Sequence, residues 1–329
     1  MISHWHRIKS LILLIAPFFL WGTSMVAMKE VMGDSSPLFM AGFRLLPAGI
    51  VILLVTIWQK RTQPSSLKAW LWITLFALID GTLFQGFLAE GLDKTGAGIG
   101  SVIIDSQPLA VALLSSWLFG ELIGIWGGLG LGIGILGISL IGLPEEWIDL
   151  LWVGQLPIIT PTWQVFLHSG ESLMLMASFS MAVGTILIRY VARYVDPVVA
   201  TGWHMIIGGL PLLFLSAQWE SGQWINITIQ GWFCLIYSTI FGSAIAYGLF
   251  FYLASKDNLT SLSSLTFLTP VFALSFGNFF LAESLNPLQW MGVCLTIVSI
   301  FLINQRENIA KQILILYNVL TKIFAIESK

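Results

Sequence analysis

Apolar positions along this chain show neither the alternation of a half-buried strand nor the single stripe of a surface helix. They come in ten long runs, 11–31, 37–58, 69–91, 96–119, 122–143, 171–192, 198–218, 230–254, 260–282 and 286–304. A helix rising about 1.5 Å per residue needs roughly 20 residues to cross about 30 Å of hydrocarbon, and each run is close to that length. The pattern predicts an all-α polytopic membrane protein with ten transmembrane helices.

The runs are written twice. Moving 162 positions along carries Gly100–Glu121 onto Leu262–Glu283, with Pro108 on Pro270, Gly120 on Ala282 and Glu121 on Glu283. The same step carries Gly86 onto Gly248, Lys94 onto Lys256 and Gly130 onto Gly292. A step of 160 places Lys29 on Arg189, Pro37 on Pro197, Gly42 on Gly202 and Arg44 on His204. A period this long is a duplicated domain rather than a solenoid. Each copy has five spans, so the second enters from the opposite face, giving two inverted five-helix repeats. Secondary transporters use this architecture, with a site near the midplane between the repeats.

The expected domains are 1–143 as the first repeat, 144–170 as an external linker, 171–304 as the second repeat and 305–329 as a cytoplasmic amphipathic tail. In the linker Leu150–Thr160 is apolar but too short to span, and Pro157 and Pro161 break it. Trp147, Trp152 and Trp163 suit the headgroup interface. In the tail Ile309, Ile313, Leu316, Leu320 and Ile323 form one face, with Lys311 and Lys322 on the other. A frayed tail without a role is the alternative.

Composition agrees with the runs. The 329 residues are 57% hydrophobic and 10% charged, and mean hydropathy is +0.87. Soluble domains carry about 25% charged residues. No basic patch interleaved with aromatics suggests nucleic acid. Cys234 and Cys294 lie in apolar runs as small hydrophobes, and no disulfide framework, metal motif or cofactor fingerprint is readable. Arg7 and Lys9 before the first run resemble a signal peptide, but no small-x-small cleavage site follows, so we read an uncleaved first span.

Lys and Arg set the orientation. With a cytoplasmic N-terminus, the inner side holds Arg7, Lys9, Lys60, Arg61, Lys68, Arg189, Arg193, Lys256, Arg306 and the tail lysines. The outer side holds Lys29 and Lys94. Both termini are therefore expected in the cytoplasm. Span 5 carries Gly120, Gly124, Gly128 and Gly132 at four-residue spacing, with Gly130 and Gly134 as a second pair. Small-xxx-small faces let helices approach closely, either within the chain or across a homodimer seam.

Ionisable groups inside a bilayer are costly and mark function. Arg44, Asp80, Glu90, Asp105 and His204 lie within spans. Asp105 stands three residues before Pro108, which clashes with the carbonyl of Ile104 and predicts a kink there. A carboxylate beside a freed carbonyl can take a cation, a substrate ammonium or a proton. Pro270 repeats the kink beside Thr266, but Phe267 replaces the acid. The alternative is that Asp105 or Asp80 pairs with Arg44 and only fixes helix positions. Glu90, Glu121 and Glu283 read as structural acids near helix ends.

Arg44 and His204 are related by the repeat. They can hold a substrate carboxylate and act as its pH-sensitive partner, or simply bond neighbouring carbonyls. Trp21 and Trp203 fall inside spans and can wall a cavity or pack the core. Gln85, Gln107 and Tyr247 can orient a ligand in an apolar cavity. Spans 1–4 and 6–9 are expected to line that cavity, with Pro108 and Pro270 as hinges. The expected partners are a small-molecule substrate and the lipid bilayer.

The Leu20-Trp21-Gly22 turn, Lys29 at the end of span 1, Phe43-Arg44 and the Pro108…Gly120-Glu121 and Pro270…Ala282-Glu283 signatures resemble the ten-helix EamA branch of the drug/metabolite transporter superfamily. The resemblance covers 11–304 apart from the linker. It implies export of small metabolites, amino acids or drug-like compounds across the plasma membrane, by proton antiport or facilitated exchange, without an ATP site. Phe84-Gln85-Gly86-Phe87 and Asp105-Ser106-Gln107-Pro108 resemble a branch found in cyanobacteria and plastids. Asp105 departs from the small or uncharged residue of many members, so no family substrate carries over. Related sugar-phosphate carriers rely on several basic residues, and Arg44 stands alone here. Two other classes remain open: a lipid-acting intramembrane enzyme, needing clustered acids or a Ser/His pair, and a non-transporting membrane subunit.

Overall fold

The computed structural model describes residues 2–94, 103–142, 169–281 and 287–327. The linker call at 144–170 therefore falls almost wholly outside the described residues, as does Glu283. Among the described residues the regular structure is entirely helical. Helix α1 is Ile2–Val31, α2 Pro37–Trp58, α3 Leu67–Lys94, α4 Gln107–Phe119 and α5 Gly124–Gly142. Helix α6 is Gly170–Val191, α7 Pro197–Trp219, α8 Ile229–Ala254, α9 covers 259–281, and α10 is Pro287–Glu327. Six of these are long and apolar enough to span a membrane by themselves, and α4, α5 and α9 are shorter apolar helices. Large apolar side chains point outward along them, as lipid requires. Trp58 and Trp117, 82% and 81% exposed, ring one face, and Trp219 and Trp224 the other.

The two halves are held together by equivalent helices packed antiparallel. Helices α2 and α7 cross through Gly42, Gly49, Gly202 and Gly209, two pairs related by the 160-residue step. A Cβ on Gly49 would lie 2.6 Å from the Gly202 carbonyl oxygen, and one on Gly209 would lie 3.3 Å from that of Gly42. The ends confirm the direction. Asp196 caps the start of α7 through the amides of Val198 and Val199, and Arg61, just past the end of α2, lies 3.1 Å from it. At the opposite face Glu220, at the end of α7, accepts from Leu38 N, Phe39 N and the Ser36 hydroxyl at the start of α2. An acid thus meets orphan amides at both helix starts, where the helix dipole favours it.

Helices α5 and α10 repeat the arrangement. Gly127, Gly130, Gly134 and Gly137 face Arg306, Ile303, Ser299 and Thr296, and the Ser299 hydroxyl donates to the Gly130 carbonyl at 2.6 Å. Gly120, Gly124, Gly128 and Gly132 face open space instead, so the four-residue stripe is not the one that packs within the chain. Contacts elsewhere obey the same exchange of halves: α1 packs on α8 and α9, and α6 packs on α3 and α4. The tail is no separate element, because α10 runs unbroken for 41 residues from Pro287 to Glu327.

Both α3 and α8 widen into a π-helical segment at matching places, Ala77–Phe84 and Ser238–Ile245. Such widened turns are frequent at functional sites. Helix α9 tightens into a 3-10 turn at Leu265–Phe267, while α4 begins afresh at Gln107 with Pro108 in its first turn and Asp105–Ser106 as a turn before it. Pro108 therefore starts a helix rather than kinking a continuous one, the arrangement its missing amide favours. At the other end of α4, Gly120 caps with φ +67°, and Glu121 accepts from Leu259 N, Thr260 N and the Thr260 hydroxyl at 2.9–3.1 Å. Arg189 lies 3.4 Å from that carboxylate. The Gly-Glu signature is thus a clamp between repeats.

Gly137→Ala forces a Cβ to within 2.9 Å of the Gly292 carbonyl and is expected to cost about 1–3 kcal/mol. Gly132→Ala meets nothing within 4 Å and should stay within about 0.5 kcal/mol of wild type. Thermal unfolding of the two variants in detergent checks the difference.

Candidate functional site

A cavity of about 80 Å³ lies between the repeats, walled by α1, α2, α3, α4, α6, α8 and α9. Helix α7 contributes none of its lining residues, contrary to expectation. Most of the wall is apolar, and Met25, Met28 and Met181 give it soft thioether surfaces. Its charged lining residues are Arg44 and Asp105, with Gln107, Tyr247, Ser24, Thr266 and Thr269 as polar groups.

Hydrogen bonds inside the cavity are unevenly satisfied. Arg44 donates to Gln85 Oε1 at 2.7 Å and contacts the Met28 sulfur. Gln85 Nε2 in turn donates to the Tyr247 hydroxyl at 2.7 Å. Gln85 and Tyr247 are themselves 162 residues apart, so this bond joins equivalent positions of the two halves across their pseudo-twofold axis. Gln107 donates to the Thr185 hydroxyl at 3.2 Å. Beyond these, Trp21 Nε1, Ser24 Oγ, Arg44 Nε, Gln107 Oε1 and Thr269 Oγ1 are buried with no partner in the protein. All five belong to residues lining this one cavity. Buried polar atoms are normally paired, and an unpaired one costs about 1–3 kcal/mol. Their convergence marks a place where water or a polar ligand completes the bonding.

The predicted residues divide into two groups. Arg44, Asp105, Gln107, Trp21 and Tyr247 line the cavity, and Gln85 braces Arg44 from behind. Trp21 packs edge-on against Tyr247, with ring centroids 5.0 Å apart. Trp203 is elsewhere: it donates to Gln63 at 3.2 Å and packs against Trp70 at 4.9 Å. His204 bonds Asp80 at 3.1 Å, both side chains almost wholly enclosed. The suggested ion pair of Arg44 with Asp80 or Asp105 is therefore not what forms, since Asp80 takes the histidine and Arg44 takes a glutamine. The Ile104 carbonyl accepts from the Ser178 hydroxyl at 3.4 Å rather than standing free. Pro108 is buried next in sequence to the lining residue Gln107, and Pro270 is buried just past Thr269 in α9. Glu90 pairs with Lys94 at 3.3 Å.

Ser24 and Thr269 were not anticipated from the residues alone. Thr269 is the image of Gln107 under the 162-residue step, a signal available in the sequence. Ser24 had no such signal, because a serine inside an apolar run is ordinary.

The EamA-like transporter family model matches residues 8–143 and again 168–305, one match for each repeat. The chain belongs to the EamA-like transporter family. It is 63% identical over 316 residues to an uncharacterised transporter of Synechocystis sp., covering 96% of each chain. It is 48% identical over 303 residues to a chloroplastic WAT1-related protein of Arabidopsis thaliana, covering 90% of this chain and 69% of that one. An S-adenosylmethionine/S-adenosylhomocysteine transporter of Chlamydia muridarum is 28% identical over 276 residues, 82% of this chain and 83% of its own. A crystal structure with 14% identity aligns with a TM-score of 0.72 over 88% of this chain and 94% of its own, which speaks for the shared fold. EamA-like members are transporters, so the cavity between the repeats is the natural place for a transported molecule.

Gln85→Leu removes the partner of both Arg44 and Tyr247, leaving a buried guanidinium with one fewer acceptor. We expect a loss of about 1–3 kcal/mol, against about 1 kcal/mol for Tyr247→Phe, which leaves the Arg44 contact in place. Detergent unfolding of both variants tests the order.

Proposed function

We propose that this protein exports a small amphipathic zwitterion, a free amino acid or a metabolite with an amino-acid head. The supporting observation is the make-up of the cavity wall: one guanidinium, Arg44, and one carboxyl group, Asp105, among lining residues that carry no other ionisable group but the Tyr247 phenol, with five unpartnered polar atoms. Arg44 Nε and its remaining N–H groups suit a substrate carboxylate, since guanidinium binds planar acids by paired bonds. Asp105 suits the ammonium. Gln107, Ser24 and Thr269 orient the head, while Met25, Met28 and Met181 accommodate an apolar body. The named cargo of the Chlamydia relative carries both an ammonium and a carboxylate, which agrees with this reading.

A cavity of about 80 Å³ is below the roughly 300–1,000 Å³ of ligand pockets. Binding therefore requires the halves to part, and the helix breaks at Asp105–Ser106 and Leu265–Phe267 are the proposed flexing points. The basic residues of the 58–67, 191–197 and 254–259 turns favour that face as cytoplasmic, and on this reading both termini face the cytoplasm and the protein sits in the plasma membrane. A lipid-acting enzyme is disfavoured because both nitrogens of His204 are already occupied, by Thr201 and Asp80, and are not free to activate a nucleophile.

Flux of radiolabelled amino acids, S-adenosylmethionine and nucleobases in proteoliposomes under an imposed pH gradient tests the proposal. Arg44→Gln should raise the half-saturation concentration of carboxylate-bearing probes at least about tenfold, the scale of one charge-assisted hydrogen bond. Asp105→Asn should do the same for ammonium-bearing probes. Unchanged affinity in both variants would overturn these roles.

A further inference from the structure

The pair Asp80–His204 lies outside the cavity, and the substrate reading makes no use of it. His204 Nδ1 is 2.9 Å from the Thr201 carbonyl oxygen, an atom that can only accept, so Nδ1 carries a proton. Nε2 is 3.1 Å from Asp80 Oδ2. A neutral imidazole protonated at Nδ1 is an acceptor at Nε2, and a carboxylate is an acceptor too. The contact therefore holds only if one further proton sits between them, on the nitrogen or on the oxygen. With that proton the pair is neutral, and without it the pair carries one negative charge and two opposed lone pairs.

The surroundings are built to enclose this contact. Asp80 stands in the π-helical turn of α3 and presses on Gly184 of α6, where any side chain would collide with it. The backbones of α3 and α7 meet next to it, since a Cβ on Gly81 would lie 2.9 Å from Gly208 Cα. Thr82 adds a hydrogen bond to the Gly208 carbonyl at 2.9 Å. Phe76 stacks on the His204 ring at 4.2 Å, and Phe251 of α8 meets it edge-on at 5.6 Å. The other titratable or charged groups facing this region are Tyr247 of α8 and Arg44 of α2, both held on Gln85. Helix α6 offers Gly184 and nothing charged there. Asp80 Oδ1 has no partner.

The equivalent place in the other half is chemically different. Gly242 stands where Asp80 would be, packed against Ser24, and Arg44 replaces His204 in the cavity wall. Arg44 and His204 each lie seven residues into helices that start at opposite faces, so each is about 10 Å from its own face. Arg44 in the cavity wall thus lies nearer the face of the 31–37 turn, and the Asp80–His204 contact nearer the face of the 191–197 turn.

We propose that Asp80 and His204 together form the transporter's proton-binding site, holding one exchangeable proton whose release parts α3 from α7 on the side opposite the cavity. This rests on the transport reading above. In the release step the bridging proton passes to water at the face of the 191–197 turn, leaving a carboxylate and a neutral imidazole. No other bond forms or breaks, and reloading reverses the step. Asp80→Asn replaces the shared proton with a permanent amide donor to Nε2, so the contact persists at every pH.

The test uses the full chain in lipid nanodiscs, with the proton itself as probe. Imidazole ¹⁵N shifts of His204 report its two nitrogens, and spin labels at Ser65 and Arg193, both exposed, report the separation of the start of α3 from the 191–197 turn that leads into α7. As the pH is raised over the range in which the protein stays folded, wild type should lose one proton from the Nε2 contact while Nδ1 stays protonated. The label distance should lengthen over the same range. Asp80→Asn should show neither change. If Asp80→Asn does not fold, His204→Gln, whose amide donates to the carboxylate, is read by the label distance alone and should hold it constant over the same range. A wild-type pair that keeps its proton across the range, or loses it with no change in distance, overturns the proposal. Absence of flux for every probe in proteoliposomes would instead count against the transport reading and leave the titration result standing.

Discussion

Everything in this molecule depends on two helices from different halves meeting backbone to backbone. In lipid there is no hydrophobic gain from bringing helices together, so association relies on close packing and on satisfied polar groups. The glycines at 42, 49, 202 and 209 supply the packing between α2 and α7, and Asp196 and Glu220 supply the polar closure at the two ends. Because the paired helices are equivalent and antiparallel, this crossing sets the pseudo-twofold axis. The Gln85–Tyr247 bond then ties the equivalent helices α3 and α8 together.

Symmetry of backbone makes asymmetry of side chains informative. The two π-helical turns are matched in position, yet one presents Asp80 and the other presents Gly242. The position of His204 is matched by Arg44, and that of Asp105 by Phe267. Two of these differences place a carboxyl group on one side of the axis only, and the third sets a guanidinium against an imidazole. One side consequently carries the cavity lined by Arg44 and Asp105, and the other a buried acid–histidine contact. Transporters built from inverted repeats alternate access by rocking one half against the other, and chemistry that differs between the halves lets the two faces respond differently.

Much of this was legible in the sequence because membrane proteins state their spans in uninterrupted apolar runs. Among the described residues each of the ten runs carries a helix, and the repeat steps of 160 and 162 showed α2 to be equivalent to α7 and α5 to α10. The break before Pro108 was visible too, although the structure makes it a helix start, since a proline ring tolerates the first turn better than a helix interior. What could not be read was direction. Asp80, Arg44 and Asp105 are alike as buried ions in sequence, and only the rotation of each helix about its axis decides which meets a histidine, a glutamine or the cavity. The same holds for the glycines of α5, where the face at 127, 130, 134 and 137 packs and the more regular stripe does not.

Alternating access would expose the cavity between the repeats to one face at a time. Single-cysteine variants lacking Cys234 and Cys294, with Ser24→Cys in the cavity wall and Thr201→Cys beside the sealed histidine, can be treated with a membrane-impermeant maleimide from either side of sealed vesicles. The account predicts labelling at position 24 only from the face of the 31–37 turn, and at 201 only from the opposite face and only under conditions that protect 24. Simultaneous labelling of both positions, or of either from both faces at once, would contradict it.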